Sequence, residues 1–362
     1  MVVGSIKGSA DNNGVACAAA CGSGGQVTLN GSQNNEVGAA ARPRTFNFDY
    51  AFGPNATQLN VYDTAVAPLM SRFVEGYNVT VLAYGQTSSG KTYTMGTGAN
   101  MVNGSFETMG VVPRALQSLF SWAQAPTTAT HDSTLRAGID IRISFVEVHN
   151  EALADLVAQS RSRGAGPSIV IREDGRGNVL WNGVEEVAVA TADAAMDILM
   201  NGSRARKTSA TRMNAVSSRS HAIYTVTLTQ TQQRGNDGGR DAEPVRVVSK
   251  LHFVDLAGSE RLNKTQEVGE RRREGISINS GLLALGNVIS ALSNTRRGAS
   301  NHVPYRDSKL TYMLRDSLGG SAQTLMIACI SAAKSNAVES GDTLKYASRA
   351  RAIKNRGGVH AE

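Results

Sequence analysis

The sequence predicts an α/β fold, in which helices cover both faces of a central sheet. Strand-like and helix-like patterns alternate from residue 45 onward. The apolar run Val79–Tyr84 ends at a glycine turn, and residues 324–330 are nearly all apolar, as in a central strand covered on both sides. No linker-like break follows residue 45, so we expect one folded domain.

The other elements follow from residue periodicity. Residues 139–145 alternate between apolar and polar, which predicts a half-buried strand, and residues 222–232 and 245–255 are two strand-like runs around a turn-rich segment. Apolar residues at 282, 285, 289 and 292, and at 344, 347, 350 and 353, predict two helices. Residues 1–41 are rich in Gly, Ala, Ser and Asn, and their composition predicts loop.

Composition excludes several classes of protein. Of the 362 residues, 41% are apolar and 19% are charged, which excludes a disordered chain. No apolar run approaches the ~20 residues that a membrane span needs. The net charge of +7 favours a polyanionic partner without choosing among nucleic acid, a membrane surface and an acidic protein polymer. Three cysteines are too few for a disulfide framework, which favours a reducing compartment.

A phosphate-binding motif follows the strand Val79–Tyr84. The segment from Gly85 to Thr92 fits G-x-x-x-x-G-K-[ST], in which backbone N–H groups surround a phosphate. We expect Lys91 to reach the β- and γ-phosphates and the Thr92 hydroxyl to coordinate Mg²⁺. A chance glycine-rich turn would not explain the preceding strand and the following Lys-Thr. The candidate nucleotide-binding residues are Gly85, Gln86, Thr87, Ser88, Ser89, Gly90, Lys91 and Thr92.

Two further segments complete a candidate nucleotide site. Residues 251–255 form an apolar strand that ends in Asp255, which is placed to support Mg²⁺ through its ligands. Gly258 follows and can offer its N–H to a γ-phosphate. Residues 214–221 contain Ser217, Ser218 and Arg219, and the hydroxyls of the two serines suit a phosphate, a metal or an attacking water. By composition alone, this serine-rich segment is more often a solvated turn.

Together, these three segments resemble the motor domain of the kinesin superfamily. The resemblance extends over about residues 45–356. Five other segments also resemble kinesin signatures: residues 46–52, 83–87, 145–151, 303–311 and 344–355. A guanine-specific enzyme would carry Asn-Lys-x-Asp, whereas the nearest string, residues 263–266, lacks the Asp. The resemblance implies a P-loop kinesin fold with a mixed, mostly parallel sheet. It divides the chain into an atypical segment (1–41), a motor domain (42–352) and the start of a neck linker (353–362).

The resemblance also implies roles in ATP hydrolysis. Ser217 and Ser218 become the hydroxyls of switch I (residues 214–221), one near Mg²⁺ and one near the attacking water. Gly258 becomes the γ-phosphate sensor of switch II (residues 255–260). Arg219 and Glu260 would form the ion pair that closes the two switches, the alternative being an ordinary ion pair.

Tyr93 follows the P-loop where the family often stacks a ring on adenine, and helix packing is an equal alternative. Thr92 and Ser218 are the expected Mg²⁺ ligands, with Asp255 supporting them. The implied substrate and cofactor are therefore ATP and Mg²⁺.

The resemblance implies a microtubule-binding face and a lever. The face comprises the loop and helix at 302–315 and the loop at 262–277, although charged runs are usually only solvated. A long relay helix at 274–294 would connect switch II to this face. Ile353 and Asn355 would begin the neck linker, which docks on the core when the switches close. The candidate microtubule-binding residues are Lys264, Arg271, Arg306, Lys309 and Arg315.

One family feature is missing from the sequence. Kinesin motors begin with a strand that ends in an adenine-contacting Arg-x-Arg-Pro motif, and residues 41–44 carry similar letters too late in the chain. Gln26–Leu29 resembles the strand that usually follows. We therefore expect either that the first strand is absent or that unrelated sequence from residues 1–21 fills its place, for example residues 15–21.

The leading hypothesis is a microtubule-stimulated ATPase that gives plus-end-directed force or regulates microtubule dynamics. The alternative is a microtubule-binding module with weak or no ATPase. A nucleic-acid translocase would need aromatic and basic strand-binding features that the sequence lacks. Several segments are most similar to the fourth, chromokinesin-like kinesin family. The expected location is the cytoplasmic cytoskeleton, with spindle, nucleus and cilium left open, and any dimerisation would use segments outside this chain.

Overall fold

A mixed sheet organises the fold. The computed structural model describes residues 2–7, 19–22, 25–29, 43–98, 106–125, 138–161, 168–175, 177–212, 217–232, 245–260, 270–293 and 302–359. The strands are β1 (Val2–Lys7), β2 (Ala19–Gly22), β3 (Gln26–Leu29), β4 (Arg44–Asn47), β5 (Tyr50–Phe52), β6 (Val79–Tyr84), β7 (Gly138–His149), β8 (Ala152–Asp155), β9 (Val170–Glu173), β10 (Val179–Asn182), β11 (Val187–Ala188), β12 (His221–Gln232), β13 (Val245–Asp255) and β14 (Gln323–Ser331).

Nine of the described strands form the central sheet, in the order β11-β7-β12-β13-β6-β14-β1-β5, with β8 paired to β7. The ladders from β13 through β6, β14 and β1 to β5 are parallel. Those joining β7 to β8, β11 and β12, and β12 to β13, are antiparallel. The parallel half brings the carboxyl ends of β6 and β13 together at one edge, where ligands bind in α/β folds.

Helices pack on both faces of this sheet. They are α1 (Gln58–Val61), α2 (Ala67–Val74), α3 (Lys91–Met95), α4 (Val111–Gln124), α5 (Leu156–Arg161), α6 (Ala192–Arg212), α7 (Glu270–Ser293), α8 (Lys309–Met313) and α9 (Ala337–Ala350), and a π-helical turn (Tyr62–Val66) joins α1 to α2. Among these described helices, none is long and apolar enough to cross a bilayer.

Alternate residues of the central strands belong to two different apolar clusters. In β14, Leu325 and Ile327 pack into one cluster with side chains of α2, α4 and α6. Met326 and Ala328 pack into the other with side chains of α7, α8 and α9. Because successive strand residues point to opposite faces, the two clusters lie on opposite sides of the sheet. The predicted α/β fold with helices on both faces is confirmed.

Two sequence-based boundaries need correction. Helix α7 begins at Glu270 rather than at residue 274. Helix α9 ends at Ala350, so Ile353 lies beyond it, although Ile353 still packs beside the same cluster as α9. Its side chain reaches the core from non-helical backbone, which periodicity alone does not distinguish from another helical turn.

The interpretation of residues 1–41 as loop is wrong where β1, β2 and β3 form. Strand β1 lies between β14 and β5, with Val3 aligned to both Ile327 and Tyr50. The position of the expected first strand is therefore filled by Val2–Lys7 and not by residues 15–21. Strand pairing uses backbone groups, so β1 takes this position without the family motif.

Candidate nucleotide-binding site

The phosphate-binding turn connects the carboxyl end of β6 to the start of α3. Gly85 and Gly90 have φ angles of 149° and 103°, which favour glycine. A Cβ added at Gly85 would also overlap the carbonyl oxygen of Cys329 on β14. The turn thus lies directly against the neighbouring strand, and the first glycine of the motif is required by this close approach.

Lys91 lies inside the turn. Its side chain is buried, and its Nζ donates to the carbonyl oxygens of Gly85 (2.8 Å) and Gln86 (2.9 Å). Burial lowers the pKa of this ammonium, and the nearby carboxylate of Asp255 opposes that shift. The Lys91 ammonium group is therefore held where the motif predicts a phosphate.

Asp255 ends β13 beside the turn. Its Oδ2 accepts from the Thr92 hydroxyl at 2.8 Å and the Thr97 hydroxyl at 3.4 Å, and lies 3.6 Å from Arg206 Nη1. Among the described residues, neither Asp255 Oδ1 nor Gln86 Oε1 has a hydrogen-bond partner, although both atoms are buried. Buried polar atoms of this kind are normally paired, so a polar ligand with a bound cation suits this site.

The structure brings both switches to this turn. The Gly258 N–H donates to the Ser218 carbonyl at 2.8 Å, and the Ser259 N–H donates to the Gly85 carbonyl at 3.1 Å. Ser217 lies in the 3₁₀ turn Ser217–Arg219. Switch II is therefore hydrogen-bonded both to switch I and to the phosphate-binding turn.

Glu260 contacts the phosphate-binding turn. Its carboxylate accepts from the Thr87 N–H at 2.8 Å and from the Thr87 hydroxyl. The ion pair of Glu260 with Arg219 stays a prediction. A Cβ at Gly258 would overlap both Thr87 and Glu260.

Sequence reasoning missed Arg206 and the contact made by His221. The Arg206 guanidinium is buried; its Nε donates to Ser220 Oγ at 3.1 Å and lies 3.5 Å from Glu147 Oε1. Its Nη2 donates to the Ser220 carbonyl at 2.7 Å. His221 Nδ1 accepts from the Ala257 N–H at 3.0 Å, and burial lowers the pKa of this imidazole to about 3. His221 was visible in the motif, whereas no local pattern marks Arg206.

Tyr93 is half-buried at the start of α3. Its carbonyl accepts from Gln58 Nε2 at 2.6 Å, which fixes this turn of helix against α1. Stacking of its ring on adenine stays a prediction.

Three candidate track-binding residues are described with their side chains. Arg306 and Lys309 are exposed and Arg315 is half-buried, all on the segment that contains α8. Arg306 and Arg315 form ion pairs with Glu173 of β9. Lys264 lies outside the described residues, as does the side chain of Arg271, whose backbone belongs to α7.

The segment after α9 lies along the core. Asn355 Oδ1 accepts from the Gly319 N–H at 2.8 Å, and its Nδ2 donates to the Ala322 carbonyl at 2.6 Å. The Arg356 N–H donates to the Gly320 carbonyl at 2.8 Å, and Val359 forms an antiparallel bridge with Tyr77. Residues 353–359 are therefore held against the core, and their role as a neck linker stays a prediction.

Comparison with known families decides what this arrangement is. The family model described as Kinesin motor domain matches residues 8–353. The chain belongs to the kinesin motor-domain family. This kinesin chain also matches a solved structure of a fast kinesin with a TM-score of 0.83 and 31% identity, over 100% of this chain and 93% of that one.

Curated kinesins extend the comparison. The human kinesin-like protein KIF27 is 47% identical over 335 residues, which cover 91% of this chain and 23% of the relative. The kinesin-like protein klp-12 of Caenorhabditis elegans is 46% identical over 86% of this chain and 20% of its own length. The mouse chromosome-associated kinesin KIF4 is 46% identical over 86% and 24%. This kinesin chain thus spans about a fifth to a quarter of these relatives.

Proposed function

We propose that the chain is a microtubule-stimulated ATPase that couples hydrolysis of Mg-ATP to movement on, or regulation of, microtubules. The observation that carries this proposal is the set of contacts joining switch II both to the phosphate-binding turn and to switch I, above all the bond from the Gly258 N–H to the Ser218 carbonyl. A ligand that attracts this N–H competes with switch I for it. Binding and hydrolysis are then sensed by both segments.

The residues of the site support phosphoryl transfer by positioning. The turn amides and Lys91 hold the phosphates of ATP, and Thr92 and Ser218 hold Mg²⁺ with support from Asp255. When bound, Mg²⁺ neutralises charge on the β- and γ-phosphates. Ser217 and the closed pair of Arg219 with Glu260 orient the water that attacks the γ-phosphorus. The bond from phosphorus to the leaving oxygen of ADP breaks, and phosphate is released.

Closing the switches would bring Arg219 to a carboxylate that also contacts the phosphate-binding turn. Glu260 accepts hydrogen bonds from the Thr87 N–H and hydroxyl, and each of its oxygens can accept another from Arg219. Both Thr87 groups lie in the phosphate-binding turn, where a nucleotide supplies acceptors. Nucleotide binding and switch closure are therefore coupled through one carboxylate.

The track-facing and lever parts complete the proposal. Arg306, Lys309 and Arg315, together with Lys264 and Arg271, form the cationic surface that meets acidic tubulin. Helix α7 relays the state of switch II to this surface, and docking of residues 353–359 gives plus-end-directed force.

We further propose membership of the chromokinesin-like group from the segments that resemble it in sequence; the 46% identity to the chromosome-associated kinesin KIF4 stands beside 47% identity to KIF27. The location that follows is the microtubule cytoskeleton, including the spindle, nucleus or cilium. The competing function is microtubule binding with little ATPase, which the missing Arg-x-Arg-Pro motif favours.

Steady-state ATP hydrolysis, measured at low salt with and without polymerised tubulin, tests the proposal. We expect strong stimulation by tubulin. Glu260→Ala should still bind ATP but hydrolyse it roughly 100-fold more slowly, because the pair of Arg219 with Glu260 that orients the attacking water is lost. Absent stimulation with retained co-pelleting would favour the binding module instead. Near-normal turnover by Glu260→Ala would remove Glu260 from the mechanism while leaving the proposed ATPase intact.

A further inference from the structure

The two arginines of the track-facing segment share one carboxylate. Glu173 lies at the end of β9, and its Oε1 accepts from Arg315 Nη1 at 2.7 Å. Its Oε2 accepts from Arg306 Nη2 at 3.0 Å and from the Tyr312 hydroxyl at 3.2 Å. All three donors lie on residues 305–315, the segment proposed to face the microtubule. One acidic side chain thus occupies the donors that an acidic partner would use.

This network is accessible from solvent. The Glu173 side chain is 26% exposed, whereas those of Arg306 and Arg315 are 77% and 38% exposed. The hydrogen bonds from Arg315 and Arg306 lower the pKa of Glu173, so the carboxylate is ionised at neutral pH. By contrast, no ion pair between described residues involves the Lys309 ammonium. Glu173 therefore cancels one of the three described positive charges on this surface.

The hairpin of β9 and β10 is held in place without Glu173. Its strands pair over four registers, and Asp174 accepts from the backbone and side chain of Asn178. Trp181 stacks on His252 with ring centroids 5.2 Å apart. Ile171 and Trp181 also pack beside the apolar cluster that contains side chains of α7, α8 and α9. Anchoring of the hairpin therefore does not explain why three donors converge on Glu173.

We infer that Glu173 is an intramolecular competitor for tubulin, which restrains microtubule affinity by occupying Arg306 and Arg315. Exposed ion pairs exchange partners at small cost, so an acidic protein surface can displace Glu173 from the arginines. Displacement leaves the two cations for the partner and adds the repulsion of the displaced carboxylate. The inference rests on the proposed function, because it specifies how the same cationic surface is restrained.

Glu173→Gln in the full 362-residue chain tests this inference by co-pelleting with polymerised tubulin over a series of salt concentrations. The matched control is Glu75→Gln, which removes an equally charged partner of Arg72, 2.6 Å away, at the C-terminal end of the separate helix α2. We expect Glu173→Gln to bind about three- to tenfold more tightly than Glu75→Gln at low salt. Its affinity should also fall more steeply with salt, because more cations are engaged.

Two further variants separate the possible failures. Glu173→Asp shortens the acid by one methylene and should give a smaller increase, which guards against misfolding of the glutamine variant. Lys309→Glu should weaken binding. If the parent chain binds and Lys309→Glu binds less, but Glu173→Gln equals Glu75→Gln or falls below the parent, the inference is wrong and the proposed function stands. If the parent chain does not co-pellet at low salt, both are wrong.

Discussion

His221 is buried and His252 is half-buried, and the two imidazoles share an electrostatic property. Burial lowers the pKa of His221 to about 3 and that of His252 to about 4. His252 Nδ1 lies 2.9 Å from the Thr225 hydroxyl, and His221 accepts from the switch II backbone. Both rings are therefore neutral in the folded state at pH values where the unfolded chain begins to protonate them.

This difference predicts a pH dependence of stability. Above about pH 6.5 neither state protonates these rings, so they contribute no slope. Below it, the unfolded state binds protons that the folded state excludes, so the free energy of unfolding falls by up to about 1.4 kcal/mol per pH unit for each histidine. Urea unfolding of the parent and of His252→Gln at pH 7.5, 6.5 and 5.5 measures this. The variant should lose about one histidine's share of the slope; identical slopes would contradict the prediction.

Among the elements, the segment after α9 is held to the core by one side chain that makes several hydrogen bonds. Asn355 bonds to the Gly319 N–H and to the carbonyls of Ser317 and Ala322. The exposed neighbour Lys354 makes no contact of this kind in the described structure. The Asn355 amide thus adds to the Arg356 hydrogen bond and the Val359 bridge in holding residues 353–359.

Asn355→Ala should release this segment while the domain stays folded. Loss of these hydrogen bonds removes about 1–3 kcal/mol of local stability. Amide hydrogen exchange at Arg356, whose N–H is bonded to the Gly320 carbonyl, reports the release directly. We expect faster exchange in Asn355→Ala and parental exchange in Lys354→Ala. Equal exchange in all three proteins would show that other contacts hold the segment.

Periodicity predicted the elements whose signal is local. Strands β6, β12, β13 and β14 were all expected, because apolar and β-branched residues specify them within the element itself. Strand β1 was missed, since its pairing partners are 45 or more residues away and small residues carry no pattern. The motif located Lys91, Thr92 and Asp255, but the partners of Arg206 and Glu260 depend on tertiary approach, which spacing does not encode.

Strand β5 joins the central sheet through β1, which lies between β14 and β5. Ser5 aligns with Cys329 on one side and Phe52 on the other, so its backbone lies inside the sheet. Ser5→Pro removes its N–H, and the ring disfavours a central strand position. We expect the free energy of unfolding to fall by about 1–3 kcal/mol. Thermal unfolding measures it, with Ser5→Thr as the control that keeps the N–H; parental stability of the proline variant would place β1 outside the cooperative fold.

Strand β6 carries the phosphate-binding turn at its carboxyl end, and Tyr77, which bridges Val359, lies just before its amino end. Six extended residues span about 20 Å, and β6 is bonded on both sides along that length. Such a strand is stiff and keeps a constant length. The phosphate-binding turn and the Tyr77–Val359 bridge therefore keep a constant separation. The proposed movement between them would be carried by the helices, while the sheet stays fixed.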